Sequence, residues 1–318
     1  MNIKFVLALL VLICCSCDKG VKTIDITPQI PPDDRPYITI LGIAQDGGYP
    51  HINNNDEFKA IADTPSLKEL VVSLGLVDPV HGKKYIFEAT PDMAEQLSIL
   101  EREHLKNGRI IDGIFLTHAH MGHYTGLMHL GREAMGSKNI RVMAMPRMKT
   151  FLETNGPWDQ LVALNNIKIL PLGADSSVKV TPQLAVTPFL VPHRDEYSET
   201  VGYHIKGPQK SALFIPDIDK WEKWDKNILE EVRKVDYAFL DATFFADGEI
   251  PRPMSEVPHP FVEETVNAFA KADSTTKSKV IFIHFNHSNP VMTPDFTGRK
   301  ELEIQGFRFA SQNDIYSL

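Results

Sequence analysis

Within Phe115 to Leu127, read as FLTHAHMGHYTGL, three histidines fall in six residues directly behind an apolar run. In an extended segment successive side chains point to opposite faces, so His118 and His120 share a face and can both reach one ion. His123 lies past the end of the strand and approaches from another direction. Three imidazoles gathered at the mouth of an apolar strand are predicted to hold a metal ion. The fifth of the six positions is Gly122, which offers no donor where a charged ligand would complete the cluster.

Other polar residues close other apolar runs. His193 ends FLVPH, Asp241 ends YAFLD, and His284 sits in IFIHFNHSNP. A sheet delivering side chains to its rim would collect these around the first three histidines. The cysteines are Cys14, Cys15 and Cys17, all in the N-terminal leader, so beyond it neither a disulfide nor a thiolate ligand is available. Histidine and carboxylate must then hold the metal. That donor set suits zinc, and iron or manganese also accept it.

Lesser candidates flank these. The glycines of DGGYPHINNND permit a tight turn that could bring Asp46 and His51 near the metal. His287 lies three residues beyond His284. The loop PHRDEYSETVGYH places Arg194, Asp195, Glu196, Ser198, Glu199 and Thr200 just after His193, where a solvated loop or a substrate contact would serve equally well. Trp221 and Trp224 of WEKWDK read as a packed helical face.

The elements that must position these residues alternate. Strands are predicted in YITILG, ELVVSLGLV, KKYIFEAT, the run into the histidines, and IRVMAMP, with helices over residues 91–105, around GLMHLGREAMG and over PRMKTFLETNG. The second half repeats the rhythm with LAVTPFLVPH, SALFIPDID, DYAFLDATF, a helix around FVEETVNAFAKA and the strand KVIFIHF. Two halves of this kind predict two sheets packed together with helices outside.

The leader MNIKFVLALLVLICCSCDKG has Lys4 and then an apolar stretch too short to span a bilayer, the pattern of a signal peptide. It resembles a bacterial lipoprotein signal, with Cys17 favoured over Cys15 as the lipid-bearing residue. The expected organisation is a signal over 1–16, a polar, proline-rich tether over 17–36 and one domain over 37–318, exported and held to a membrane by lipid alone. A formal charge of -8 without a basic run excludes nucleic acid as an expected partner and leaves a small molecule.

HAHMGH, His193, Asp241 and His284, in that order, resemble the metallo-β-lactamase superfamily, whose signature is H-x-H-x-D-H followed by a distant His, Asp and His. LGIAQDGGYPH and HFNHSNP are similar to its branch around pyrroloquinoline-quinone biosynthesis protein B. The resemblance implies an α/β fold, an αββα sandwich of two mixed sheets with outer helices. It also implies a first metal site of His118, His120 and His193, a second of His123 and His284, and Asp241 bridging them. Gly122 stands where the signature has aspartate, so one tight zinc and a weaker second site are expected. The implied activity is hydrolysis of an ester, lactone, amide or phosphodiester, with Asp241 orienting the attacking water or acting as base. An iron-dependent oxidoreductase and a metal-dependent binding protein remain the alternatives.

Overall fold

The computed structural model describes residues 34–318. The proposed signal, both candidate lipidation cysteines and the tether through residue 33 lie outside the described residues. Among the described residues no helix is long and apolar enough to cross a membrane.

Seven strands form the first sheet: β1 (Tyr37–Gly42), β2 (Ser73–Asp78), β3 (Lys83–Phe87), β4 (Gly113–Phe115), β5 (Ile140–Ala144) and β6 (Ile167–Pro171), with the last strand of the chain joining at one edge. The second sheet also has seven strands, and its members are β7 (Val178–Lys179), β8 (Ala185–Leu190), β9 (Val201–Lys206), β10 (Ser211–Ile215), β11 (Tyr237–Asp241), β12 (Val280–Ile283) and β13 (Arg308–Phe309). The edge strand of the first sheet is β14 (Ile315–Ser317), giving the order β14-β1-β2-β3-β4-β5-β6 against β13-β12-β11-β10-β9-β8-β7. Both sheets are mixed. Strands β3 to β6 and β10 to β13 run parallel, and the rest pair antiparallel.

The central parallel strands read as near-continuous apolar runs because both of their faces are covered. Between the sheets, Phe87 of β3 stacks on Phe115 of β4 with ring centroids 4.9 Å apart, and meets Tyr203 of β9 and Phe214 of β10 edge-on at 5.2 and 5.9 Å. These offset and edge contacts are the arrangements that aromatic quadrupoles favour. On the far side of the first sheet, Leu97, Leu100, Leu127, Leu152 and Leu161 pack helical segments over Ile86, Ile114 and Val142. On the far side of the second, Val262, Phe269 and Leu302 do the same. The result is the αββα sandwich of the metallo-β-lactamase fold.

Details of the elements differ from the sequence reading. The helix expected around GLMHLGREAMG is a 3₁₀ helix over Thr125–Leu130, and a helix over Asn55–Asp63 was not anticipated. The polar loop after His193 runs straight into β9, whose alternating VGYHIK was the overlooked signal. Here a cross-sheet bond fixes the histidine loop, with Val201 N donating to Thr117 O at 3.2 Å.

Candidate metal centre

The candidate donors sit where strands end. His118, His120 and His123 follow β4, His193 follows β8, Asp217 follows β10, Asp241 closes β11 and His284 follows β12. For β4, β10, β11 and β12 these are the carboxyl ends of parallel strands, the edge at which open α/β sheets place their sites.

Three groups of donors converge. In the first, His118, His120, His193 and Asp217 bring one ligand atom each to within 4.8 Å of all the others. His118 Nε2 lies 2.8 Å from His120 Nδ1 and 3.2 Å from Asp217 Oδ2, while His193 Nε2 lies 3.2 Å from Asp217 Oδ1. A tetrahedral zinc with bonds of about 2.0–2.1 Å separates its donors by about 3.3 Å, close to the two 3.2 Å spacings and wider than the 2.8 Å between the histidines. The second group is Asp46, His123 and His284, and the third is Asp217, Asp241, His259 and His284.

Hydrogen bonds decide which nitrogen His118, His120 and His284 turn inward. Thr117 spends its single hydroxyl proton on Glu88 Oε1 at 2.6 Å, so at 2.9 Å it can only accept from His118 Nδ1, leaving the Nε2 lone pair for the site. Thr243 repeats the device. It donates to Asp241 Oδ1 at 2.7 Å and accepts from His284 Nδ1 at 2.8 Å. Glu196 Oε2, 3.0 Å from His120 Nε2, holds the proton there and frees Nδ1. Such partners fix the tautomer and raise the basicity of a metal-bound histidine. Glu88 and His284 also hold left-handed backbone, with φ of 78° and 69°, a strain of about 1–3 kcal/mol for a non-glycine residue that concentrates at functional sites.

Electrostatics and unmet polar atoms agree with this arrangement. Burial, together with the neighbouring His123, drives His118 well below the ordinary histidine range, and burial also lowers His120, so both rings are neutral and able to ligate. Burial opposes charge on His123 as well, but Glu88 and Asp46 on its two sides outweigh it and hold that ring well above the ordinary range, so a cation there has to displace its proton. Asp217 stays ionised despite burial because His193, His259 and His118 face it. Among the described residues, both nitrogens of His193 and of His123, His284 Nε2, Asp217 Oδ1 and Asp46 Oδ1 are inaccessible to solvent yet have no hydrogen-bond partner. Each such atom costs about 1–3 kcal/mol if left unmet. Cations held at the converging groups would satisfy one nitrogen of each of these rings together with Asp217 Oδ1 and Asp46 Oδ1, so the residues fit a metal.

The structure brings His118, His120 and His193 together, and His123 with His284, and gathers Asp241 with Asp217, His259 and His284. The carboxylate common to the first and third groups is Asp217. Asp241 belongs to the third group alone, and it accepts from Thr243 N and Oγ1, Ile218 N and His259 Nδ1. Burial works against its charge, but His259 and then His284 outweigh it and hold its pKa below the ordinary value. Asp217 was legible: IPD after β10 parallels VPH after β8, and the strand-end rule that selected His193 applies to it. His259, in a loop between prolines, carries no periodic signal. His51 and His287 join none of the three groups and instead stack on each other at 4.1 Å, His287 bonding Glu57.

Gly122 has a spatial explanation. A Cβ built there would stand 2.1 Å from Asp46 Oδ1 and 2.6 Å from Asp46 Cα. The room a side chain would need is filled by a carboxylate arriving from the loop after β1.

This fold and site define the class. The beta-lactamase superfamily domain matches residues 76–285, and the chain belongs to that family. Within it, the chain is similar to the coenzyme PQQ synthesis protein B of Gluconobacter oxydans, 25% identical over 317 residues covering 88% of this chain and 98% of that protein. The corresponding protein of Methylorubrum populi is 24% identical, with 86% and 97% covered. Among solved structures, zinc-bound PqqB from Methylobacterium extorquens superposes with a TM-score of 0.72 at 20% identity, over 89% of this chain and 100% of that one. A diphosphatase of the PhnP family gives 0.64 at 21% identity, over 89% and 97%.

Proposed function

We propose that this chain is a metal-dependent hydrolase acting on a small molecule that carries an ester, lactone, amide or phosphodiester bond. The observation that carries the reading is the first donor group, the imidazoles of His118, His120 and His193 and the Asp217 carboxylate, each with one ligand atom within 4.8 Å of the others. His118, His120, His193 and Asp217 would hold a zinc ion. Bound there, a divalent cation polarises a carbonyl or phosphoryl oxygen and brings the pKa of water to about 7. Thr117 and Glu196 keep His118 and His120 in the ligating tautomer, and Asp241 orders the floor of the site through Thr243 and His259. The zinc in the PqqB structure and the diphosphatase among the structural neighbours support this choice of metal and of reaction class.

The test is zinc loading of the purified protein followed by rates on ester, lactone, β-lactam and phosphodiester substrates. Turnover that vanishes on chelation and returns with zinc supports the reading. Metal retained without turnover on any class refutes it in favour of a binding protein, and activity confined to iron-loaded protein refutes it in favour of an oxidoreductase.

The leader supports a second proposal, that the protein is exported and lipid-anchored through Cys17. Cys17→Ser should move the protein from the membrane fraction to the soluble fraction in fractionated cells. Unchanged membrane association would transfer the role to Cys15 or to an uncleaved leader.

A further inference from the structure

The second donor group has a composition that the order of residues along the chain conceals. His123 Nε2 lies 3.3 Å from Asp46 Oδ1 and 3.6 Å from Asp217 Oδ2, and His284 completes the set with Asp46 and His123 inside 4.8 Å. His123 and His284 are fully buried, and His123 Nε2, His284 Nε2 and Asp46 Oδ1 are all without a hydrogen-bond partner. The loop that delivers Asp46 is firmly built. Ile43 and Ala44 donate their amides to Leu70 O, Val72 N returns a bond to Ala44 O, and Gln45 N donates to Phe285 O at 2.8 Å, pinning the segment between the two sheets one residue from His284. Gly48, at φ 71°, then turns the chain away, a conformation that glycine adopts without strain.

We propose that Asp46 is a metal ligand, the carboxylate of a second cation site formed with His123, His284 and the shared Asp217, and that Gly122 is glycine because this carboxylate occupies its side-chain space. The proposal rests on reading the centre as metal-binding, and is independent of whether the protein turns anything over. Asp46 and Asp217 set a negative charge beside each cation and the histidines supply lone pairs, so the protein holds two zinc ions tightly, where the sequence led to an expectation of one.

Zinc titration of the metal-free, full-length protein with a competing chromophoric chelator reads both sites without any substrate. Wild type should take up two equivalents. Asp46→Asn, which keeps the shape and removes the charge, should retain the first and weaken the second by more than the 10–100-fold that losing an outer-sphere partner costs. Glu57→Gln, which alters a carboxylate bonded to His51 and His287 in the neighbouring loop, should leave both equivalents in place. Cobalt substitution gives a second readout, since the visible spectrum of the second equivalent should change in Asp46→Asn and that of the first should not. One tight equivalent in wild type, an unweakened second site in Asp46→Asn, or equal loss in Glu57→Gln would each overturn the assignment. Failure of the hydrolase reading would instead appear as two tight zinc ions and no turnover.

Discussion

Asp217→Asn should abolish tight binding of both zinc equivalents, the largest single-residue effect expected in this protein. The carboxylate is nearly inaccessible and lies 3.1–3.6 Å from a nitrogen of His118, His193, His123 and His259. It is the charged group common to the first and third donor groups, and it lies against His123 of the second. Asparagine preserves shape but presents one neutral oxygen and an NH₂ that turns donors toward histidine lone pairs. Loss should therefore exceed the 10–100-fold typical of an outer-sphere change at each site. Asp241→Asn provides the contrast. Its oxygens are already engaged by Thr243, Ile218 and His259, so zinc affinity should fall only within that 10–100-fold range. Isothermal titration on both variants, with exposed His129→Ala as the unaffected reference, decides the matter. A larger loss in Asp241→Asn than in Asp217→Asn would restore Asp241 to the bridging role.

Gly122→Ala should produce the second-largest effect, although it adds a single methyl group. Its Cβ would fall 2.1 Å from Asp46 Oδ1 and 2.6 Å from the Asp46 backbone, distances that force the loop after β1 to move. Overpacking of this kind costs about 1–3 kcal/mol. Displacement of Asp46 should also remove the second zinc equivalent, so Gly122→Ala should mimic Asp46→Asn in a metal titration while lowering the urea midpoint, which Asp46→Asn need not do. Gly122→Asp fares no better. From the order of residues alone that substitution looks like the return of a missing ligand, but here it drives a second carboxylate into the first. Wild-type stability together with two tight zinc ions in Gly122→Ala would show that the loop yields easily and that Asp46 does not depend on the glycine.

The histidine cluster was legible because its logic is local. Alternation along an extended segment puts His118 and His120 on one face whatever the rest of the chain does, and apolar runs ending in a polar residue mark where strands reach a rim. The same regularity made the two-sheet sandwich readable, since buried parallel strands need continuous apolar stretches and their crossovers need helices. The absence of cysteine beyond the leader restricted the donors to histidine and carboxylate before any geometry was known. Which carboxylates those are was decided only by the tertiary structure. Asp217 and Asp241 both follow apolar strands, and what separates them is the set of hydrogen bonds each meets, made by backbone amides and side chains from other segments. Asp46 lies in the loop after β1 and Gly122 in the short helix Met121–Tyr124 after β4, and no periodicity links them. They become neighbours because the pairing of Ala44 with Val71 and Phe285 carries the first loop across the seam between the sheets, into the space a side chain at 122 would have filled.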